Sequence, residues 1–243
     1  MIISGIELSG VTIRDVPPVV TTGLQLYYDP ATYTGSGTLD DLSGNGFTAT
    51  LYNVDTSNYA SHYFNYNGTN SNLQTPDMVS AFNTTPAVSY EVWIWGLNDG
   101  CIVSETGTTS LNSNWYDNQM EVGGVSGPPW SLYASTYPYP GPGFTPPSPP
   151  VQQANWYQMV LTYDGSTGTG YVNGAAGASA TGYNRQAPWD YGSGYYLNFG
   201  ASTPTYLYAG NFWYGAIGIV RAYNRILTTT EIRQNYKIGR AHV

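Results

Sequence analysis

The stretch from Trp156 to Gly174, WYQMVLTYDGSTGTGYVNG, constrains the fold of this chain more than any other. Its first eight residues place largely apolar side chains on both faces of an extended strand, which predicts packing on both sides. The next residues, Asp164 to Gly168, have turn chemistry, because glycine tolerates positive φ and aspartate can bond its own backbone. Residues 169–172 predict a return strand, and Asn173-Gly174 predicts a type I′ turn into a further strand. The predicted fold is therefore organised around a buried antiparallel hairpin.

Short alternating segments recur along the chain. In the clearest, Val88 to Trp95, the side chains of Glu91, Trp93 and Trp95 share one face. Other predicted strands cover residues 23–29, 47–51, 63–68, 73–74, 101–104, 120–122, 131–133, 195–200 and 213–223. Thr228 and Glu231 have capping-box spacing, which predicts a short helix that ends at about Tyr236. The fold class predicted is all-β, a two-sheet antiparallel sandwich with a short C-terminal helix.

Charge and composition argue against several classes of function. Only 9% of the residues are charged, the net charge is −8, and the seven basic residues form no cluster that could bind nucleic acid. No apolar run approaches the roughly 20 residues that span a membrane, so no membrane insertion is expected. The N-terminus has neither the basic start nor the apolar core of a secretory signal, which predicts folding in a cytoplasm. Cys101 is alone and is predicted to be a small buried apolar residue.

The predicted sandwich domain covers residues 21–237. Three segments do not fit its strand pattern: one at each end of the chain and one insertion within the domain. Residues 1–20 alternate weakly and contain Pro17-Pro18, which predicts either a strand arm on a stiff link or an edge strand of the sandwich. Residues 137–150 contain seven prolines and predict an extended loop insertion at the surface. Residues 238–243, IGRAHV, match the translation of a sequencing-library adapter that continues into a stop codon. We hypothesise that these six residues are read-through and assign them no function.

In their order, these segments resemble the laminin-G-like, concanavalin A-like jelly roll. The resemblance covers roughly residues 23–236 and rests on residues 23–29, 41–46, 64–68, 89–95, 156–164, 171–174 and 215–231. Its most specific part is Tyr223-Asn224-Arg225 with the helix that follows. The resemblance implies a jelly-roll fold, which serves lectins, pentraxins, glycosidases and structural modules alike. The first fifteen residues and Gly23 to Asp29 also resemble proteins of tailed-phage virions that carry this domain.

Glycosidases of this family carry their catalytic carboxylates in a Glu-x-Asp-x-x-Glu motif on one strand. The acids on or near the predicted strands do not complete this motif here; they are Glu91, Glu105, Asp117 and Glu121. A nucleophile with a histidine base is also missing, because His62 is the only histidine before the hypothesised read-through. We therefore expect no catalytic residues and no enzymatic activity.

The resemblance also implies a possible calcium ion on a rim loop, bound by acidic side chains and backbone carbonyls. The acidic stretch of the family is replaced here by asparagines. The remaining candidate ligands for calcium are Asp40, Asp41, Ser43 and Asn45. The alternative is that these four side chains cap a tight glycine turn. No other cofactor is expected.

Aromatic residues in the predicted loops offer binding material. Aromatic rings stack on the apolar faces of sugars, while tyrosine and tryptophan are also enriched in protein–protein interfaces and in ordinary packing. The candidates for carbohydrate or interface contacts are Trp115, Tyr116, Trp130, Tyr137, Tyr139, Trp189 and Tyr191. The sequence does not separate these three roles.

From the resemblance and the missing catalytic acids we expect a non-enzymatic structural protein of a phage virion, either capsid-decorating or tail-associated. Such a protein docks to other virion proteins, is located in the virion and contacts host-surface glycans. Because repeated virion sites have symmetry, a homo-oligomer is also expected. The alternatives are a carbohydrate-binding adhesin or lectin and, third, a glycoside hydrolase.

Overall fold

The computed structural model describes residues 18–82, 86–96, 100–107, 119–123, 131–135, 155–181, 194–201 and 212–240. It confirms the predicted fold class. Two antiparallel sheets, each with seven strands, form a sandwich, and a helix of eleven residues follows the last strand. This arrangement is that of the concanavalin A-like jelly roll.

The first sheet contains the central hairpin. Its strands are β1 (Leu24–Tyr28), β4 (Phe64–Asn67), β6 (Val88–Trp95), β10 (Trp156–Tyr163), β11 (Thr167–Val172), β12 (Ala175–Thr181) and β14 (Tyr214–Tyr223). They lie in the order β1-β14-β6-β10-β11-β12, and β4 pairs with the first residues of β14.

The second sheet lies across the core from the first. Its strands are β2 (Thr38–Leu39), β3 (Ala49–Tyr52), β5 (Asn72–Gln74), β7 (Gly100–Thr106), β8 (Gln119–Gly123), β9 (Ser131–Ser135) and β13 (Tyr196–Phe199). They lie in the order β2-β3-β5-β13-β7-β8-β9. A helical turn, α1 (Val79–Phe82), and the C-terminal helix, α2 (Thr229–Gly239), complete the described elements.

Both faces of β10 are packed, as the sequence predicted. Met159, Leu161 and Tyr163 enter the core between the two sheets. Val160 points the opposite way and packs with Ile232 of α2 in a separate apolar cluster. At the next turn Asn173 has φ 52° and Gly174 has φ 75°, the two positive values that a type I′ turn requires.

Helix α2 covers part of the outer face of the first sheet. It begins with the predicted capping box: the Thr228 hydroxyl accepts a hydrogen bond from the Glu231 backbone, and the Glu231 carboxylate accepts one from the Thr228 backbone. The helix ends at Gly239, beyond the expected end at Tyr236. Its last residues therefore belong to the segment that we hypothesise to be read-through.

Residues 18–20, the end of the predicted arm, lie against α2. The Val20 backbone N–H donates to Asn235 (3.2 Å), and the Val20 carbonyl accepts from the Tyr223 hydroxyl (3.1 Å). Gln234 donates to the Pro18 carbonyl (2.6 Å). Pro18 and Val20 are thus hydrogen-bonded to α2 and β14, whereas residues 1–17 and the proline-rich segment 137–150 lie outside the described residues.

The strand predicted at 47–51 begins only at Ala49. The Phe47 backbone N–H donates to the Asp41 carboxylate (3.2 Å), so this residue belongs to the preceding turn and not to the sheet. Cys101 is buried in β7, which confirms its prediction as a buried residue. In the described part of the chain, no helix has the length and apolar character needed to cross a membrane.

Candidate functional site

The seven aromatic candidates predicted from the loops lie outside the described residues, so their roles stay predictions. The strand register nevertheless shows where most of their segments attach. Thr106, Gln119, Ser135 and Tyr196 line up at one end of the second sheet, where the chain leaves β7 and β9 and enters β8 and β13. In the sequence, Trp115 and Tyr116 lie between β7 and β8, Tyr137 and Tyr139 follow β9, and Trp189 and Tyr191 precede β13. Trp130 belongs to the connection at the opposite end of β8 and β9.

A row of polar residues crosses the second sheet, one residue on each strand. Directly opposite positions link them in the order Thr38, Thr50, Gln74, Asn198, Ser104, Gln119 and Ser135. Gln74 and Asn72 both donate to the Asn198 carbonyl oxygen, at 2.8 and 3.1 Å. Asn198, Gln74 and Asn72 are buried, whereas Thr50 is exposed. The outer face of the second sheet therefore carries neutral hydrogen-bonding groups.

The strand acids whose side chains are described are held in the interior. Glu91 is fully buried and forms an ion pair with Arg221 (2.8 Å), and it also accepts hydrogen bonds from Gln158 (2.9 Å) and Asn235 (2.7 Å). Burial opposes the charge on Arg221, but the adjacent Glu91 carboxylate raises the pKa of the guanidinium. Neither charged group can reach solvent.

Glu105 points into the core between the sheets and accepts a hydrogen bond from Tyr90. Asp117 lies outside the described residues, and only the backbone of Glu121 is described. His62 ends a 3-10 turn with φ 64° and bonds Asp29 through Nδ1 (2.8 Å), so it joins two surface turns. The described acids and this histidine therefore have contacts of a structural kind.

The candidate calcium loop is folded around the Asp41 carboxylate. One oxygen accepts the backbone N–H groups of Tyr27 (3.0 Å) and Ser43 (2.9 Å), and the other accepts from the Ser43 hydroxyl (2.7 Å) and the Phe47 backbone. Asn45 donates to backbone carbonyls of β1, and Asp40 accepts from Thr48 at 3.4 Å. These bonds are those of a capped turn, and among the described residues no cluster of three acidic, histidine or cysteine side chains could hold a metal. Calcium binding by this loop stays a prediction.

Three large aromatic side chains at the open end of the first sheet form a surface that we call the aromatic platform: Trp95, Trp156 and Tyr214. Trp156 and Trp95 lie directly opposite each other on β10 and β6, on the outer face. The Trp95 side chain is 42% exposed, Tyr214 on β14 is 60% exposed, and Trp156 is half-buried. Adjacent strands lie about 4.8 Å apart, so the platform extends about 10 Å across three strands.

Polar groups border the platform. From Trp95 the register continues through Ala216 to Asn65, and a further backbone bridge pairs Asn65 with Asp55. Asn65 donates to the Asp55 carboxylate (3.3 Å), and its own side-chain oxygen accepts no bond from any described residue. Hydrogen bonds from the backbone and hydroxyl of Ser57 and from Asn65 lower the pKa of Asp55. The border thus offers acceptors for hydroxyl donors next to apolar rings.

A glycine leaves room for the platform to pack on the sheet. Gly218 lies at the irregularity of β14 between Ile217 and Val220. A Cβ atom at this position would be 3.4 Å from the Trp156 ring, 3.6 Å from the Trp93 side chain and 3.1 Å from the His62 carbonyl. The Tyr63 ring also packs against Trp156, with centroids 5.4 Å apart. These contacts hold Trp156 in place beside the more exposed Trp95.

The aromatic platform was not predicted from the sequence. Alternation placed Trp95 on one face of β6 and Trp156 on one face of β10, and neither was among the predicted binding residues. The signal that could have found the site is a tryptophan at the end of each strand, since large apolar side chains that end a strand at the solvent need a partner. The pairing register that joins them was not part of the prediction.

The comparisons with known proteins agree with the fold. Residues 67–233 match the family model Laminin_G_3, described as the concanavalin A-like lectin/glucanases superfamily. No curated protein matches the chain.

Among solved structures, domain 4 of AbnA, a GH43 extracellular arabinanase from Geobacillus stearothermophilus in complex with arabinotriose, is similar with a TM-score of 0.58 and 16% identity. The match covers 86% of this chain and 96% of that domain. The Trypanosoma rangeli sialidase in complex with sialic acid has a TM-score of 0.62 and 13% identity, with 90% of this chain and 33% of the sialidase covered. This chain therefore spans about a third of the sialidase, and both likenesses concern the fold alone.

Proposed function

The chain belongs to the concanavalin A-like lectin/glucanases superfamily, and from this premise we propose that it is a non-catalytic carbohydrate-binding module. The observation that carries the proposal is the aromatic platform. Exposed rings stack on the apolar faces of sugar rings, while the Asn65 amide oxygen and the Asp55 carboxylate accept hydrogen bonds from sugar hydroxyls. Large exposed aromatic groups of this kind mark interaction sites on soluble domains.

The described acids support a non-catalytic role. Glycoside hydrolysis needs two carboxyl groups that flank the scissile bond. Glu91 is buried in an ion pair beneath α2, and Glu105 is buried in the core. Release of reducing sugar that is lost when Asp117 or Glu121 is changed would instead favour the hydrolase alternative.

The structural neighbours support the choice of ligand class. The arabinanase domain, which this chain matches over nearly its full length, was solved with arabinotriose, and the sialidase with sialic acid. Because the sequence identity is low, these structures do not indicate which sugar this chain binds. We therefore propose glycan binding as a class and leave the sugar to the experiment.

The proposal is tested with a printed oligosaccharide array, followed by titration calorimetry with the strongest ligand. We expect binding to one class of sugar, and an affinity about tenfold lower or worse for Trp95→Ala and Trp156→Ala, which equals about 1.4 kcal/mol or more. Repeating the titration with a calcium chelator tests whether the loop of Asp40 and Asp41 contributes.

The matched control is Tyr59→Ala. Tyr59 is 42% exposed, like Trp95, but it lies on a 3-10 turn and its ring contacts Tyr33. The Tyr59→Ala variant should bind the sugar with the same affinity as the wild-type chain. The proposal fails if the array shows no binding, or if the platform variants bind as tightly as Tyr59→Ala.

A structural role in a phage virion is the second candidate. It is favoured by the resemblance of the first fifteen residues to virion proteins, and by the hydrogen bonds that hold residues 18–20 at the edge of α2. From that position the preceding segment can add to a neighbouring sheet, because strand edges recruit strands. A platform of tryptophan and tyrosine also suits a protein interface.

The virion role predicts a defined homo-oligomer in analytical ultracentrifugation and density for this chain in cryo-EM maps of particles from a phage that encodes it. A chain that stays monomeric and is missing from those particles would eliminate this candidate. A chain that is present on the particles and also binds sugar would combine both roles.

A further inference from the structure

Asp55 is an exposed carboxylate in a fixed position beside the aromatic platform. One of its oxygens accepts from the Ser57 backbone N–H (2.9 Å), and the other accepts from the Asn65 amide (3.3 Å). The backbones of Asp55 and Asn65 also exchange two hydrogen bonds, at 3.0 and 2.9 Å, so their side chains lie side by side on the outer face. The carboxylate is therefore oriented before any ligand binds.

No cation among the described residues pairs with Asp55. The ion pairs in the described part of the chain involve other acids: Asp29 with His62, Glu91 with Arg221, and Glu231 with Arg225. The pKa of Asp55 is lowered by hydrogen bonds and not by a charged neighbour. The side chain therefore presents a negative charge to the solvent, where a ligand can reach it.

Asp55 continues the row of residues that begins at the platform. From Trp95 the register passes through Ala216 and Asn65 to Asp55, which is three strand spacings or about 14 Å. Tyr214, which is 60% exposed, lies on β14, the strand between Trp95 and Asn65. A ligand that covers the platform rings and also reaches Asp55 must be longer than one sugar ring. An oligosaccharide has this length, and the group that it places at Asp55 determines which charge is favoured.

We propose that the platform and Asp55 together select glycans with free amino groups, such as oligomers of β-1,4-linked glucosamine. A protonated amine donates hydrogen bonds and carries a positive charge, so it pairs with a carboxylate, and aromatic faces attract the same charge. Glycans with carboxylates of their own, such as uronic acids, are repelled by Asp55 and by the net charge of −8. This inference rests on the proposed function, because it names the class of sugar that the platform binds.

Three hexasaccharides with the same β-1,4 backbone test the inference, since they differ only in the group at C2. This group is an ammonium in the glucosamine hexamer, an acetamide in the N-acetylglucosamine hexamer and a hydroxyl in cellohexaose. The full chain is titrated calorimetrically at pH 5.5, where the amines are largely protonated and Asp55 is ionised. We expect the tightest binding for the glucosamine hexamer at low salt. This preference should disappear in about 0.5 M NaCl, because salt screens exposed charges.

Two variants separate the charge from the rings. Asp55→Asn removes the charge but keeps an oxygen for sugar hydroxyls, so it should weaken the glucosamine hexamer about threefold more than cellohexaose, as expected for an exposed ion pair. Trp95→Ala should weaken all three hexamers. The matched control is Asp164→Asn, which changes the net charge equally. Asp164 is also exposed and accepts from a serine two residues later (2.8 Å), but it lies at the opposite end of β10 from Trp156. This control should bind like the wild-type chain.

The other outcomes distinguish this inference from the proposed function. If the wild-type chain binds the glucosamine hexamer no more tightly than the other two, or if Asp55→Asn and Asp164→Asn behave alike, the inference is overturned and the platform stands. Binding of the glucosamine hexamer that Trp95→Ala does not weaken is adsorption to negative charge alone, which also overturns it. If no hexamer binds but the array yields another sugar, only the inference fails. If no sugar binds in either experiment, the proposed function itself fails.

Discussion

Trp93 and Trp95 lie two residues apart on the same face of β6, yet their surroundings are opposite. Trp93 is 1% exposed and stacks on Tyr236 of α2, with ring centroids 5.7 Å apart and planes 2° from parallel. Trp95, one step beyond the helix, is 42% exposed. The same residue type on the same strand is therefore part of the core in one case and available for binding in the other.

The difference comes from what covers each half of the face. Under α2 the sheet carries a buried ion pair and amides, and each group of this network bonds to the next, from Arg221 through Glu91 to Asn235. Beyond the helix the sheet carries the aromatic platform, bordered by Asn65 and Asp55. The covered half is built for stability and the open half for contact, and the two should respond to substitution in different ways.

The largest effect is expected at Glu91. Glu91→Ala leaves the Arg221 guanidinium buried without its counter-ion, and removing one partner of a buried pair costs about 3–5 kcal/mol. The free energy of unfolding in urea measures this loss. The double variant Glu91→Leu with Arg221→Met should recover most of the loss, because no charge then remains buried. If the single and double variants are equally unstable, the ion pair does not account for the stability of the covered half.

Substitutions of Trp93 and Trp95 test directly whether the covered and the open half of the sheet differ. Trp93→Ala removes a fully buried indole and should cost about 3 kcal/mol or more, because it leaves a cavity beneath α2. Trp95→Ala should cost less than about 1 kcal/mol, since much of this ring is already in solvent. Urea unfolding of the two variants under identical conditions gives the ratio of the two losses in the free energy of unfolding. Equal losses would mean that Trp95 is also a packing residue, which would weaken the proposal of a binding platform.

The sequence predicted which side chains share a face of β6 and of β10, but it did not predict which residues lie opposite each other on the two strands. The bounds of β6 and β10 were predicted correctly, because uninterrupted alternation from Val88 to Trp95 and from Trp156 to Tyr163 is a strong signal. A period of two fixes which residues share a face, but it leaves open which residue of the next strand lies opposite. The pairing of Trp95 with Trp156 therefore needed the structure.

For a related reason, the sequence could not predict that α2 covers Trp93. The capping box at Thr228 predicted where α2 begins, but nothing local to Trp93 indicates that Tyr236, more than a hundred residues later, will stack on it. The same limit applies to the polar row of the second sheet, whose members come from seven strands. The binding residues proposed from sequence were loop aromatics, because loops are the usual place for ligand contacts.

An effect smaller than those of Glu91→Ala and Trp93→Ala is expected at the start of α2, the helix that covers Trp93. Arg225 binds the Glu231 carboxylate at 2.6 and 2.9 Å, and together with the capping bonds from Thr228 this lowers the pKa of Glu231 from an ordinary value near 4.5 to about 2. A depressed pKa means that the folded state favours the ionised form. The resulting stability is complete above about pH 4.5 and is lost as the pH falls towards 2.

Glu231→Gln separates this contribution from the other carboxylates that titrate in acid. The variant keeps an acceptor for the Thr228 backbone but loses the charge, so it should be about 1 kcal/mol less stable at pH 7, as expected for a partly exposed pair at a helix start. At pH 2 most of the gap should be gone, because the Glu231 carboxyl is then about half protonated in the folded protein and almost fully protonated in the unfolded chain. Urea unfolding at pH 7, 4 and 2 measures the difference. A gap that stays constant over this range would show that Glu231 acts through its hydrogen bonds alone, and that the charge of Arg225 does not help to hold the cover over Trp93.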